Sequence, residues 1–114
     1  MSGDRTELCR RVAREVLGWT AKNIPWAYSD TTSVWHRDGD VLVITEHAWC
    51  PDEDDRQCME VLDALAADGF DYVVGREDGA CIAEVGRAGE HRARAEHPER
   101  RVAVLEAALA AVSR

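Results

Sequence analysis

With 114 residues, 46% of them hydrophobic and 32% charged, the chain has the length and composition of one soluble globular domain with a single modest core. Its net charge of −8 excludes unassisted binding to nucleic acid or to an anionic membrane surface, since both attract cations. No apolar run approaches the roughly 18 residues needed to span a bilayer, and the start MSGDRTELCRR holds no apolar leader segment, so a cytoplasmic protein with reduced cysteines is expected.

The first helix is expected over Arg5 to Leu17. Asp4 stands at its cap with Glu7 in capping-box spacing. Cys9, Val12, Ala13, Val16 and Leu17 make its apolar face, and Gly18 ends it. Residues 19–31, WTAKNIPWAYSDT, show no period and read as an aromatic-rich loop. Two strands, Thr32 to Arg37 and Asp40 to Glu46, flank Asp38-Gly39, a strong hairpin signal. A two-residue turn there sets Arg37 opposite Asp40, Trp35 opposite Leu42 and Val34 opposite Val43. The run VLVIT is apolar on both faces, which predicts a strand with layers above and below it.

Trp49 to Phe70 carries marks of both ends of a second helix. Pro51 suits a first turn, Asp52, Glu53, Asp54 and Asp55 crowd the positive end of the dipole, and Gly69 closes the helix. Asp52 or Asp55 is the expected cap. Cys58, Val61, Leu62, Leu65 and Ala66 form its apolar stripe. A second hairpin follows: Phe70 to Arg76, a turn through Glu77-Asp78-Gly79, and Ala80 to Val85 with Cys81, Ala83 and Val85 on one face. Gly86 to Gly89 reads as a turn. Glu90 to Glu96 alternates, Ala93 and Ala95 against Arg92, Arg94 and Glu96, as a half-exposed fifth strand. Pro98 opens the last helix, whose stripe is Val102, Leu105, Ala108, Leu109 and Val112. The order is α-β-β-α-β-β-β-α. Its simplest solution is a single-domain α+β fold, an antiparallel sheet with helices on its faces. The edges, Glu90 to Glu96 or Thr32 to Arg37, are where another copy would pair, with Arg92 and Arg94 opposing this on the former.

Three blocks of the chain resemble the small phage "ABA sandwich" proteins, an alpha-beta-alpha family of phage and prophage genomes. They are Leu17-Gly18-Trp19 at the end of the first helix; Trp49-Cys50-Pro51 leading into Val61-Leu62-Asp63-Ala64-Leu65; and Ala93-Arg94-Ala95-Glu96, then Pro98, then the Ala-rich helix Val102 to Val112. The likeness covers nearly the whole chain. It departs at Cys50, where the family has Ser, at His97, where Thr is usual, and in a longer first hairpin. The resemblance implies a phage-like origin and a fold, and no reaction, because the family offers no catalytic residues to carry over.

Candidate chemistry is sparse. His47, Cys50 and Cys58 are residue types that bind zinc, but Cys58 belongs to the apolar face of the second helix and no close cysteine pair exists. At Cys50 the helix dipole favours a thiolate while Asp52 to Asp55 oppose it. The four acids point in different directions on a helix and read first as cap and dipole complement. No glycine-rich phosphate loop, nucleophile elbow or zinc-protease helix is present. No cofactor is expected. Partner-facing candidates are Trp26 and Tyr28 in the aromatic loop and the acids Asp52, Glu53, Asp54 and Asp55. The acids at 46–60 contrast with the arginines at 87–101, Arg87, Arg92, Arg94, Arg100 and Arg101. The expectation is a non-enzymatic phage or prophage accessory protein that binds a host or phage protein with a basic surface, an anti-CRISPR-like inhibitor being one form. The alternatives are a metal-binding or small-molecule enzyme using His47, Cys50 and Cys58, and an acidic immunity protein against a basic toxin.

Overall fold

The computed structural model describes residues 2–25, 31–90 and 92–113, with side chains from Arg5 onward. The elements are α1 (Ser2–Arg11), a π-helical turn (Val12–Val16), β1 (Thr20–Pro25), β2 (Thr31–Arg37), β3 (Val41–Thr45), α2 (Asp55–Ala67), β4 (Asp71–Glu77), β5 (Ala80–Gly86), β6 (Ala93–His97) and α3 (Arg100–Val112). The α+β class, the antiparallel pairing and the succession of elements agree with the sequence. The structure adds one strand, β1, and divides the strands between two three-stranded sheets, β1-β2-β3 and β4-β5-β6.

β1 falls in the segment read as a loop. Thr20–Pro25 has no apolar alternation because it is an outer strand, exposed along its length except for the half-buried Lys22 and Ile24. Its pairing runs from Thr20 opposite His36 to Pro25 opposite Thr31, with proline at the strand end where its missing N–H is harmless. β2 is therefore central in its sheet, not the edge expected of Thr32 to Arg37. Its partner register also differs: Arg37 faces Val41, His36 faces Leu42 and Trp35 faces Ile44, with a bulge that leaves Val43 unmatched. Asp38 and Gly39 do take the positive φ values that their turn requires.

The expectation that VLVIT is covered on both sides fails. Val41, Leu42 and Val43 are 44%, 58% and 37% exposed. Only Ile44, beside Trp35, packs against the core. An outer strand has a neighbour on one side only, and here no helix layer lies over its first three residues.

Helix ends move by a few residues. α1 begins at Ser2, so Asp4 sits in the first turn instead of capping it. α2 begins at Asp55 with Asp54 as its cap, the Asp54 carboxylate accepting Gln57 N–H at 3.0 Å. Pro51 lies in the turn that precedes the helix, where Cys50 C=O accepts the N–H groups of Glu53 and Asp54. Cys58, Val61, Leu62 and Leu65 are buried as expected, while Ala66 is exposed. β6 starts only at Ala93, and Glu90 belongs to the preceding turn.

One contiguous core joins both sheets. Cys81, Ala83 and Val85 of β5 face it, Ala95 of β6 packs against it, and α3 lies across them. Val102 to Leu105 and Ala107 to Leu109 are buried, a band wider than one stripe, because α1, its π-turn and α2 cover the other side of α3. The alanines allow this close approach. The radius of gyration, 15.1 Å, exceeds the roughly 13 Å of a globular chain this long, which reflects two sheets that do not merge.

Candidate functional site

Residues of the segment 46–53, Glu46, Asp52 and Glu53 among them, line one side of a cleft of about 720 Å³, with α1 and the start of β2 as the other walls; Asp54 and Asp55 lie outside it. Local sequence builds this wall tightly. Gln57 reaches back to accept Cys50 N–H at 2.6 Å and donates to Ala48 C=O at 3.0 Å. Trp49 is buried; its indole N–H donates to Cys9 C=O at 3.0 Å, and its ring meets Trp19 edge-on at 4.8 Å. That hydrogen bond enters the helix ladder where α1 widens into the π-turn.

Each acid has a separate role. Asp52 is 5% exposed and accepts from Arg5 Nε at 2.8 Å and from the Cys9 thiol at 3.0 Å. Its backbone C=O accepts from Arg5 and from Arg101. Arg5 also pairs with Glu99 at 2.7 Å, so one guanidinium joins α1, the acidic turn and the start of α3. Asp54 caps α2. Asp55 accepts from Arg101 at 2.7 Å, which holds its carboxyl below the usual carboxylate range. Glu53 is exposed. Glu46 accepts the Ser33 hydroxyl and Arg10 Nε, both at 2.5 Å, and these bonds hold it low as well. The acidic and basic segments thus meet each other: Arg100 and Arg101 lie against Asp55.

The four cysteines are free thiols. Burial and the Asp52 hydrogen bond push Cys9 up to about 12. Burial, then Glu53, Asp52 and Asp54, raise Cys50, and burial raises Cys58. None of these three is poised as a thiolate nucleophile at neutral pH. His47 and Cys50 line the same cleft, whereas Cys58 faces the core from α2. Among the described residues no three His, Cys, Asp or Glu side chains come together as a metal site. Trp35 borders the cleft and is 1% exposed, with an indole N–H that has no hydrogen-bond partner among the described residues. Trp26 and Tyr28 lie outside the described residues.

Sequence reasoning missed the apolar surface of Val41, Leu42 and Val43. The signal was present: the run is bounded by Asp40 and Glu46, with Asp38-Gly39 turning the chain just before it. Compared with family models, with curated proteins and with solved structures, the chain matches none.

Proposed function

We propose that this chain is a small non-enzymatic accessory protein of phage or prophage type, cytoplasmic, that acts by binding a host or phage protein. The observation that carries the reading is the uncharged, exposed stretch Val41-Leu42-Val43 on an outer strand. Contiguous exposed apolar surface marks interaction sites. The phage ABA-sandwich resemblance supplies the setting, and inhibition of a host defence complex, as by an anti-CRISPR protein, is its concrete form. Asp52, Asp54 and Asp55 serve the fold as well as the surface, since arginines and a helix end engage them. That leaves Glu53, with Trp26 and Tyr28, as the remaining partner-facing candidates.

The test is affinity purification of the tagged chain from host lysate, with mass spectrometry and metal analysis of the same sample. A single stoichiometric protein retained by wild type and lost from Leu42→Lys is the expected result. Bound zinc with no protein partner would overturn the reading and move His47 and Cys50 to the centre.

A further inference from the structure

We infer that His97 is a proton-sensitive latch on α3: its neutral imidazole holds the first turn of the last helix, and its protonation releases that turn. The latch works on the helix over which the core closes and needs no partner.

Only Pro98 and Glu99 separate β6 from α3. Pro98 has no N–H to donate, so Glu99 N–H is the one backbone donor between strand and helix. A helix leaves its leading N–H groups without partners of its own, and a side chain commonly serves one of them from the cap position. Glu99 stands in that position and makes no such bond. Its carboxylate is turned instead to the Arg5 guanidinium, at 2.7 and 3.2 Å. His97 ties the segment down from the other side: its Nδ1 accepts Glu99 N–H at 3.0 Å. Glu99 C=O in turn accepts Ala103 N–H at 3.1 Å, the bond that opens the helix ladder. Glu99 is thus fixed at its N–H by His97, at its side chain by Arg5 and at its C=O by α3.

The roles in the His97 bond cannot be exchanged. A backbone N–H only donates, so Nδ1 must be bare and the ring proton must sit on Nε2. Histidine is the side chain whose charge ordinarily changes between about pH 5 and about pH 8. A second proton goes to Nδ1, turns the acceptor into a donor, and sets N–H against N–H. It also brings positive charge to the positive end of the α3 dipole. Both effects act against the first turn of the helix. His97 itself is half-buried, and it pairs with Cys81 of β5, whose thiol donates to Pro98 C=O at 3.7 Å. The other titratable and charged groups nearest in chain and pairing are Glu96 and Glu99 on its own segment, Arg100 and Arg101 at the start of α3, and Arg5 of α1 through Glu99. Arg100 and Arg101 are paired with Asp55. Glu96 projects to the other face of the strand, and both Glu99 oxygens are bonded to Arg5. Among these groups a protonated ring finds no spare carboxylate to replace the lost bond.

The test is nuclear magnetic resonance on the full chain. At about pH 8 the imidazole nitrogen shifts of His97 should report the tautomer protonated on Nε2. Lowering the pH to about 5 should cut the hydrogen-exchange protection factors of the Glu99 and Ala103 amides roughly fivefold, the effect of about one hydrogen bond. His97→Asn supplies a side-chain oxygen that accepts from the N–H two residues on and does not titrate. In that variant both protection factors should stay level over the same range. A tautomer protonated on Nδ1, level protection in wild type, or a loss in His97→Asn equal to that of wild type overturns the proposal. A fall at Glu99 with Ala103 unmoved also overturns it, because the bond would then hold a single amide and not the helix.

Discussion

The pairing of Arg5 with Asp52 decides whether the acidic segment belongs to the fold or to the surface, and it can be measured. The Asp52 side chain is 7% exposed, and its two acceptor atoms take the Arg5 guanidinium at 2.8 Å and the Cys9 thiol at 3.0 Å. Arg5→Met keeps the aliphatic stem and leaves that carboxylate with a thiol alone. Removing one member of a fully buried pair costs about 3–5 kcal/mol. Arg5 is 33% exposed on its side chain, so water screens part of this, and the loss of the exposed Arg5–Glu99 pair adds little. The expected destabilisation is about 2 kcal/mol, a fall in melting temperature of roughly 8 °C. Asp52→Asn alone keeps the shape and one acceptor and should cost about 1 kcal/mol. The double variant should then be less damaged than the sum by about 1 kcal/mol, read from urea unfolding followed by circular dichroism. Strict additivity would refute the reasoning. It would mean that Asp52 does not depend on Arg5 and is available to an outside partner.

Trp49→Phe removes the indole N–H from Cys9 C=O and should lower stability by about 2 kcal/mol, with most of the helical signal kept; no change in the urea midpoint would show that the π-turn needs no such donor. Glu46 is held low by the Ser33 hydroxyl and by Arg10, so its contribution is complete above the unfolded carboxylate value of about 4.3 and is lost as pH falls through the lower folded value. The stability gap between wild type and Glu46→Gln should therefore be present at neutral pH and close in acid; a gap independent of pH contradicts the assignment. Iodoacetamide should label Cys50 before the buried Cys9, Cys58 and Cys81, yet slowly at neutral pH and faster in alkali, because burial and then the neighbouring acids favour its thiol. Rapid labelling at neutral pH would restore Cys50 as a nucleophile.

What the sequence made legible follows from how each element is stabilised. α2 buries one regular face, and β5 and α3 bury a regular face within a wider band, so their period shows: Cys58, Val61, Leu62 and Leu65, then Cys81, Ala83 and Val85, then Val102, Leu105, Ala108 and Leu109. β1 did not show, because an outer strand with two half-buried residues is held by backbone pairing to β2, which leaves no trace in composition. The burial of VLVIT was misjudged because apolarity on both faces describes a covered strand and an interaction surface equally well. Asp54 took the cap from Asp52 and Asp55 because both of those answer to arginines distant in sequence, Arg5 and Arg101. The same long reach explains why the acidic and basic segments could be seen as opposites but not as partners.

The central position of α3 constrains how the protein is made. It is the last of these elements to leave the ribosome, yet it touches β5, β6, α2, α1 and the π-turn. Until it emerges, Val12, Ala13 and Leu65 have nothing to cover them from that side. Arg5 and Glu99, bonded at 2.7 Å and 94 residues apart, must wait equally long. The nascent chain therefore carries an unfinished apolar surface until α3 emerges, open to chaperones and proteases, and a stop codon within α3 would strip the cover from the whole core instead of removing one helix.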